Sequence, residues 1–423
     1  MERLEFELIL ATDQLAAEIQ KLAVRSDSYA TGLIRFDHGR NPIGVIVESI
    51  VLTNSQRAGM RVGNEFAPMA DWIAVAMPDG PAPERPDEWI RRMKPLYAQT
   101  LFLLLVGIGP RRTDWRGWVI RRGEVRALTA LAGIGRHAFR VSAESARMDS
   151  EIADRWSRSE FSLGQRVLRQ LADFKVAVIG CSGVGCQIAM QLAALPIRRL
   201  GLVDGDKVEL HNLVRMPLAT EGDIGKSKSE VLARRIAAMR SDLAITVSDE
   251  PFGVRIDAPV THAAQLLVTA VDRDAPRLQA SYLARQRMIP HLDIGTLVTH
   301  DIHGQRILAA DVRFLVPGAG CVRCVGGLGQ LDEAEFEIAA PHGALPLRAA
   351  ESWNARGRLG SLATINSVAA ATGIQLWLDM LDRNTLQSTW HRIKWDAENG
   401  WKSDSERVGS AANCKICKKI FAA

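Results

Sequence analysis

Three groups of residues in this sequence have the types and the spacing to do chemistry. Residues 180–185 read Gly-Cys-Ser-Gly-Val-Gly and follow an apolar segment at residues 176–179. Acidic, amide and basic side chains come next, and four cysteines follow later in two Cys-x-x-Cys pairs. Glycines let a backbone approach a phosphate closely, carboxylates suit Mg²⁺, and paired thiolates suit Zn²⁺. Together these residue types favour binding of a phosphorylated ligand, with a separate structural metal.

The pattern around the glycine turn predicts the elements that position these groups. A strand at residues 176–179, an alanine-rich helix from 186 to about 195, and a strand at 200–203 form a βαβ unit. Asp204 ends this unit 24 positions after Gly180, near the distance at which such folds place a carboxylate on ribose hydroxyls. The glycine spacing is G-x-x-G-x-G and not the dinucleotide pattern G-x-G-x-x-G, which weakens an NAD interpretation. An incidental glycine turn and an NAD-dependent oxidoreductase remain the alternatives.

Side chains after this unit could bind a triphosphate and its metal. Arg215 and Lys228 carry charges that suit phosphate oxygens, and Asn212 could orient a phosphate or the ribose. Asp272 follows an apolar strand predicted at residues 266–268 and could hold Mg²⁺ at the carboxyl end of the sheet, where ligands bind in such folds. Three polar neighbours are more typical of solvated or structural positions: Glu209, His211 and Lys226.

The order of these blocks resembles the ThiF-type adenylyltransferases that activate ubiquitin-like proteins. That family includes the thiamine- and molybdopterin-pathway activators and the ubiquitin-activating enzymes. Its members carry G-x-G-G-x-G, D-x-D, N-L-x-R and G-x-x-K in this order. All four blocks are present here, with Ser182 where the family usually has a third glycine. Residues 271–273, Val-Asp-Arg, resemble the family's T-D-N, with Arg273 in place of asparagine.

The resemblance implies that ATP reacts with a carboxylate, which attacks the α-phosphorus while pyrophosphate leaves. Positive charge and Mg²⁺ would offset the repulsion between the two anions. The residues implied to bind ATP and Mg²⁺ are Gly180, Gly183, Gly185, Asp204, Asp206, Asn212, Arg215, Lys228 and Asp272.

Residues 155–159, Arg-Trp-Ser-Arg-Ser, resemble the family's R-Y-x-R-Q segment. There the second arginine reaches the γ-phosphate of ATP, often from the other subunit of a dimer. Arg158 matches that arginine, so the resemblance implies a catalytic role for Arg158 beside Arg215, Lys228 and Asp272, and a homodimer. Without the later motifs, Arg155 and Arg158 would be read as solvated surface charges.

The cysteine pairs have the spacing of a zinc site. Two Cys-x-x-Cys steps can each hold one edge of a tetrahedral Zn²⁺ site, and the residues before the first pair resemble the family's P-G-x-x-C-x-x-C. The metal would connect the C-terminal tail to the nucleotide domain, and a redox Cys-x-x-Cys is the alternative. The expected ligands are Cys321, Cys324, Cys414 and Cys417.

The remaining cysteines bear on the fate of an acyl-adenylate. Ubiquitin-activating enzymes pass the adenylated protein to their own cysteine, usually in or beyond a crossover loop. The matching loop here, about residues 325–361, contains no cysteine. Cys181 and Cys186 lie in and just after the glycine turn, where packing is their expected role. We therefore expect transfer to a cysteine or sulfur donor on another protein.

Composition and segment order predict two domains in this α/β protein. The chain has 423 residues, 47% of them hydrophobic, enough for more than one core. Residues 149–423 are expected to form a Rossmann-like, mainly parallel sheet with the zinc site and crossover loop, and residues 1–148 a smaller α/β domain. Other elements predicted in the larger domain are helices at 227–240 and 362–381 and strands at 292–295 and 307–312, with Asn366 a polar departure inside the second helix. A hairpin is expected to carry Trp390, Trp395 and Trp401, with core packing as their default role and a partner-binding surface as the alternative.

The smaller domain is predicted to contain a helix at 12–24 and strands at 32–36, 43–52, 72–77, 101–106 and 118–120. This order resembles the metalloprotease-type deubiquitinase fold that some bacterial members of the family carry. That enzyme needs a His-x-His pair to hold zinc, and the first 150 residues have only His38 and His137. The domain is therefore expected to be catalytically inactive, or to be an unrelated accessory domain.

Charge and hydropathy exclude several other classes of protein. The formal net charge of +5 comes without a dense basic helix, so nucleic acid is not an expected partner. The apolar runs are too short to span a membrane, the first residues lack a signal-peptide core, and the cysteine use suits a reducing compartment. A cytoplasmic protein is expected.

The sequence thus predicts ATP-dependent adenylation of the C-terminal glycine of a ubiquitin-like protein, followed by transfer to a separate conjugating enzyme. Activation of a sulfur-carrier protein for cofactor synthesis is the main alternative. A non-catalytic subunit of a heterodimeric activator is the third.

Overall fold

A computed structural model of the chain contains two compact units, one made mainly of Met1–Ser145 and the other of Ala146–Arg383 with Gln387–Ala423. The predicted boundary between residues 148 and 149 lies outside the described residues. In the second unit the structure describes residues 154–253, 260–261, 264–286, 289–316, 319–326, 360–383, 387–412, 414 and 416–417. In the first unit it describes the eleven strands given next.

The first unit contains two mixed sheets. One has the strand order β11-β10-β1-β4-β3, and the other has the order β5-β2-β6-β7-β8-β9. The strands are β1 Glu7–Leu10, β2 Ser28–Gly32, β3 Ile34–Phe36, β4 Gly44–Val47, β5 Val51–Asn54, β6 Trp72–Met77, β7 Leu101–Ile108, β8 Thr113–Arg121, β9 Glu124–Ala127, β10 Ala130–Gly133 and β11 Phe139–Ser142.

The sequence located several of these strands. The strand predicted at 72–77 is confirmed, while those predicted at 101–106 and 118–120 are longer than expected. The strand predicted at 43–52 was wrong in extent, because β4 and β5 are separate strands that belong to different sheets. The same holds for the strand predicted at 32–36, which falls on the end of β2 and on β3. The predicted helix at 12–24 lies outside the described residues.

The second unit is built on an eight-stranded sheet of order β14-β13-β12-β15-β16-β17-β18-β19. Its first five strands pair in parallel, and the last four, including the shared β16, pair antiparallel. The strands are β12 Lys175–Ile179, β13 Arg199–Val203, β14 Ala244–Ser248, β15 Leu266–Thr269, β16 His291–His300, β17 Arg306–Leu315, β18 Thr389–Asp396 and β19 Gly400–Arg407.

The order of the parallel strands fixes where a ligand can bind. From β12 the chain moves outward through β13 to β14, and it then returns to the other side of β12 to form β15 and β16. The direction of winding therefore reverses between β12 and β15. In open α/β sheets the crevice at the carboxyl ends of the strands at such a switch point is the usual ligand site. Gly180 follows β12 directly, and Asp272 lies three residues beyond β15.

Six α-helices accompany this sheet among the described residues. They are α1 Ser157–Asp173, α2 Gly183–Ala193, α3 Lys228–Met239, α4 Asp274–Gln286, the short α5 Val322–Val325, and α6 Ala363–Arg383. The predicted helices at 227–240 and 362–381 are confirmed as α3 and α6, and Ser227 is the N-cap of α3. Helix α2 starts at Gly183, three residues before the predicted start. The prediction assigned all the glycines to the turn, whereas Gly183 and Gly185 lie in the first turn of the helix. No helix among the described residues is long and apolar enough to cross a membrane.

The core of this unit lies between α6 and the sheet. Trp377 of α6 and Leu168 of α1 are its largest fully buried side chains, and the Trp377 ring meets Phe174 edge-on at 5.3 Å. Burying one large apolar side chain contributes about 1.5–3 kcal/mol, so this packing holds the helices against the strands. The predicted tryptophan hairpin is confirmed as β18–β19, but Trp401 is 55% exposed. Core packing is therefore wrong for Trp401, since β19 is the outer strand of the sheet.

Candidate nucleotide site and cysteine cluster

The glycine turn packs so closely that side chains cannot replace its glycines. Gly180 has a φ of 93°, in the left-handed region, and an added Cβ would lie 2.6 Å from the carbonyl oxygen of Ala270. A Cβ on Gly185 would lie 1.8 Å from the carbonyl oxygen of Gly180, and one on Gly183 would lie 2.7 Å from Asn366 Nδ2. These contacts bring the N-terminus of α2 against the ends of β12 and β15. The first turn of a helix has N–H groups without helical partners, which favour an anion.

Asp204, at the end of β13, holds this turn in place. Its Oδ2 accepts a hydrogen bond from the Cys181 N–H at 2.7 Å, and its Oδ1 accepts one from the Asp206 N–H at 2.9 Å. Burial raises the pKa of the Asp204 carboxyl, against the opposing effects of these two hydrogen bonds and of Lys228. Each carboxylate oxygen has two lone pairs, so a ribose hydroxyl could still donate to Asp204. The predicted ribose contact stays a prediction.

Lys228 is held at the same edge of the sheet by the loop after β13. Its Nζ lies 2.9 Å from Asp206 Oδ2, and its N–H donates to the Asp206 carbonyl at 3.0 Å. The Lys228 side chain is 7% exposed, whereas that of Asp206 is 74% exposed. An ion pair with one solvated partner contributes about 0–1 kcal/mol, so a phosphate could replace this carboxylate at little cost.

Asn212 and Arg215 lie on the loop between β13 and α3 and differ in their surroundings. Asn212 is 1% exposed, and its Oδ1 accepts a hydrogen bond from the Glu209 N–H at 3.0 Å. It therefore shapes the loop, and its predicted contact with the nucleotide stays untested. Arg215 Nε and Ser182 Oγ are buried and have no hydrogen-bond partner among the described residues. A buried donor left unpaired costs about 1–3 kcal/mol, which an anionic ligand would remove.

Asp272 is exposed beyond the end of β15. The residue before it, Val271, accepts a hydrogen bond at its carbonyl oxygen from Arg277 Nη2 at 2.6 Å. A carboxylate free to face solvent at this edge suits a hard cation such as Mg²⁺. Four groups follow the carboxyl ends of β12, β13 and β15 along the chain: the N-terminus of α2, Arg215, Lys228 and Asp272. Their chemistry fits a magnesium-bound polyphosphate.

Arg158 lies in the first turn of α1 with an exposed side chain, near a residue that packs against the end of α2. Trp156, two residues before it, is 4% exposed, and its Nε1 donates to the Ala194 carbonyl at 2.9 Å. The Arg240 guanidinium lies 4.8 Å from the centre of the Trp156 ring. Ala194 is the C-cap of the eleven-residue helix α2, whose length puts it about 16 Å from the glycine turn. These contacts place Trp156 near the end of α2 that is farther from the glycine turn, and the predicted role of Arg158 at the γ-phosphate stays a prediction.

The four cysteines predicted as metal ligands come together. All four Sγ atoms lie within 4.8 Å of one another, and three pairs are 3.5–3.7 Å apart: Cys321–Cys414, Cys324–Cys417 and Cys321–Cys324. Zinc–sulfur bonds of about 2.3 Å in a tetrahedron put sulfurs about 3.8 Å apart, so the cluster could hold a metal ion of this kind. The cluster joins α5 to the C-terminal tail.

Cys181 and Cys186 are poor nucleophiles in this structure. Both thiols are buried. Burial raises the pKa of the Cys181 thiol well above its usual range and that of the Cys186 thiol to about 11. Since the thiolate is the reactive form, both residues have the packing role expected from the sequence. His211 Nδ1 lies 3.2 Å from Glu209 Oε2, and both side chains are exposed, so the structural role predicted for His211 stays a prediction.

Two polar clusters next to the site were missed by sequence reasoning. Asn366 Oδ1 accepts from Thr296 Oγ1 at 2.8 Å, and Asn366 Nδ2 donates to Ser361 Oγ at 3.1 Å, directly against the glycine turn. Arg277 and Asp293 form a buried pair behind Asp272. The available signal was a polar residue next to apolar ones: Asn366 after Ile365 in α6, and Asp293 between Leu292 and Ile294 in β16.

Known proteins match this unit of the chain. The model of the ThiF family matches residues 157–399, more than half of the chain. The mouse protein named adenylyltransferase and sulfurtransferase MOCS3 is 44% identical over 79 residues, 19% of this chain and 17% of its own length. The SAMP-activating enzyme E1 of Haloferax volcanii is 29% identical over 184 residues, 42% of this chain and 63% of its own length.

Solved structures are also similar to this chain. The crystal structure of E. coli MccB with ATP is 22% identical and has a TM-score of 0.48, with 66% of this chain and 77% of that one covered. The chain matches the mouse and Haloferax relatives over less than two thirds of their lengths. The family model covers most of the second unit. On the extent of that match, this chain belongs to the ThiF family.

Proposed function

We propose that the chain is an ATP-dependent adenylyltransferase that activates the C-terminal glycine carboxylate of a ubiquitin-like protein. The observation that carries the proposal is the unpaired, buried Nε of Arg215 on the edge that also holds the glycine turn, Lys228 and Asp272. The glycine spacing, G-x-x-G-x-G and not G-x-G-x-x-G, disfavours an NAD-dependent dehydrogenase. Membership of the ThiF family and the chain's similarity to an adenylyltransferase and to an activating enzyme E1 support the same class of reaction.

In the proposed reaction the chain's own residues bind and orient the triphosphate. The N-terminus of α2 and the glycine turn accept its phosphates, and Arg215 and Lys228 neutralise them. Asp206 releases Lys228 when a phosphate arrives, because its own side chain is solvated. Asp272 would hold Mg²⁺, whose charge would help the substrate carboxylate approach the α-phosphorus as pyrophosphate leaves. The closely packed glycine backbone fixes this geometry without reorganisation.

The acyl-adenylate then passes to another protein. Cys181 and Cys186 are buried with raised pKa values, and the other four cysteines of the sequence meet in the metal-type cluster. A separate conjugating enzyme would therefore accept the activated carboxylate. Activation of a sulfur carrier is the second candidate, and the name of the mouse relative, an adenylyltransferase and sulfurtransferase, favours it. A thioester on a conjugating enzyme and a thiocarboxylate on the carrier distinguish the two by mass spectrometry.

We also propose that the chain works as a homodimer, with Arg158 reaching the γ-phosphate in the partner's site. Two observations support this arrangement: the Arg158 side chain is exposed, and Trp156, two residues before it, contacts the C-cap of α2. Residues 1–148, which we propose as an accessory domain, would bind a partner or support the dimer.

The experiment is exchange of labelled pyrophosphate into ATP, with a panel of ubiquitin-like and sulfur-carrier proteins. We expect exchange that depends on one partner and disappears when its terminal glycine is removed. Lys228→Ala is expected to abolish exchange, while Lys226→Ala, an exposed lysine two positions away that contacts Asp223, serves as the matched control. Wild-type protein that binds ATP but is silent with every partner would favour a non-catalytic subunit.

The dimer is tested by mixing two inactive variants. A heterodimer of Lys228→Ala and Arg158→Ala has one site with both residues intact if Arg158 acts across the interface. Exchange should then recover to at most about a quarter of the wild-type rate for random pairing. If the two variants form mixed dimers and pyrophosphate exchange does not recover, the role of Arg158 in the partner's site is contradicted.

A further inference from the structure

We propose that Arg277, held by the buried carboxylate of Asp293, is the positioning residue for the turn that carries Asp272. The inference rests on the proposed function, since Asp272 matters only if the site binds a magnesium nucleotide. Neither Arg277 nor Asp293 is among the residues expected to touch ATP, and both lie behind the site.

The geometry makes Arg277 the link between the buried carboxylate and the turn. Its Nη1 lies 2.9 Å from both oxygens of Asp293, a residue with no exposed surface. Its Nη2 donates to the Val271 carbonyl at 2.6 Å, one residue before Asp272, and to the Ile294 carbonyl at 3.3 Å. One planar guanidinium thus connects β16 to the turn after β15. The five donors of arginine in a fixed plane suit such a connection, whereas the single ammonium of lysine does not.

The Asp293 carboxylate is itself fixed by two further groups. Thr269 Oγ1 donates to its Oδ1 at 2.5 Å, and Arg313 Nη1 donates to its Oδ2 at 2.9 Å. Asp293 is therefore held from β15, β17 and α4 together. Burial would raise the pKa of Asp293, but the nearby Arg277 and Arg313 guanidiniums lower it, so the Asp293 carboxylate stays an acceptor at neutral pH.

Space around Arg277 is matched to the guanidinium. A Cβ on Gly295 would lie 3.1 Å from Arg277 Nη2, so the missing side chain at this position makes room for the contact with Val271. Arg313, in contrast, pairs with Asp293 and Asp311. The two arginines share one carboxylate, but within the described part of the chain the hydrogen bonds of Arg313 go to Asp293 and Asp311 and not to the turn. This difference supplies a matched control inside the same network.

The experiment compares Arg277→Lys with Arg313→Lys in the full chain. Each substitution keeps a positive charge beside Asp293 and removes a guanidinium. The readouts are the Mg²⁺ concentration that half-saturates ATP binding, the affinity for ATP in EDTA, and hydrogen exchange of the peptide at residues 269–276. Melting temperature reports the structural cost of each variant. Asp293→Asn, which weakens the hold on Arg277, provides a second variant if Arg277→Lys does not fold.

The proposal predicts a selective loss in Arg277→Lys. Its half-saturating Mg²⁺ concentration should rise at least about tenfold, with faster exchange at 269–276 and an affinity for ATP in EDTA within about twofold of wild type. Arg313→Lys should keep both binding values within about twofold. Equal shifts in the two variants, or none in Arg277→Lys and Asp293→Asn, would overturn the inference. Wild-type protein with no Mg²⁺-dependent ATP binding would instead overturn the proposed function itself.

Discussion

Replacement of His291 by glutamine should make the fold more resistant to acid. His291 is buried on β16, and its Nε2 lies 2.8 Å from Thr269 Oγ1. Since Thr269 donates its own proton to Asp293, His291 must donate from Nε2, which leaves Nδ1 as the atom without a partner among the described residues. Glutamine can place an N–H donor near the position of Nε2 and cannot gain a charge near pH 5.

The magnitude follows from the pKa of the histidine. Burial lowers the pKa of His291 from 6.5 to about 4. A histidine whose pKa falls on folding binds its proton more weakly in the folded state, so stability falls as pH drops from about 6.5 towards 4. At about 1.4 kcal/mol per pKa unit, linkage gives a loss of about 2 kcal/mol between pH 7 and pH 5 that His291→Gln should avoid. Other titrating groups act in both proteins and cancel in the comparison.

Urea unfolding at pH 7, 6 and 5 measures this difference. Wild type should lose about 2 kcal/mol more free energy of unfolding than His291→Gln over this range. His300→Gln is the matched control, because His300 lies exposed at the other end of the same strand and should behave like wild type. Parallel pH profiles for wild type and His291→Gln would refute the assignment of His291 as buried and neutral.

Three further predictions follow from the site. Lys228→Ala should keep the melting temperature within a few degrees and lower the rate of pyrophosphate exchange at least about a hundredfold. The reason is that oriented cations at transferring phosphates stabilise the transition state by several kcal/mol. An unchanged rate of exchange would remove this lysine from the site. Gly185→Ala should lose ATP binding and lower the melting temperature, since the added Cβ would lie 1.8 Å from the Gly180 carbonyl oxygen, and wild-type binding in a titration of the variant would contradict that packing. Chelation of zinc, or Cys414→Ser, should destabilise the fold and release the C-terminal tail to protease, while a zinc-free preparation with the same melting temperature and digestion pattern would argue against a structural metal.

Local patterns predicted the central part of this molecule. The βαβ unit follows from apolar runs and glycine spacing, and these signals are contained in about thirty consecutive residues, the length typical of such a motif. The cysteine cluster followed from two short steps in the sequence, and all four thiols meet as expected. In both cases the signal is local: a glycine turn between two apolar strands, and pairs of thiols three positions apart that can each hold one edge of a metal site.

Non-local contacts account for what the sequence could not locate. The position of Arg158 depends on Trp156, whose hydrogen bond goes to the carbonyl of a residue 38 positions away. The Arg277–Asp293 pair depends on how α4 packs against β16, and no spacing rule connects them. Trp401 is exposed because its strand became the outer one, which depends on the order of all eight strands.

A crystal structure of the protein with ATP and Mg²⁺ would test the account most directly. The account predicts a triphosphate against the glycine turn, with Arg215 Nε and Lys228 Nζ within hydrogen-bond distance of its oxygens and Asp206 released from Lys228. It also predicts a metal beside Asp272. A nucleotide bound elsewhere, or a carboxyl edge that stays empty at saturating ATP with Arg215 Nε still unpaired, would contradict it.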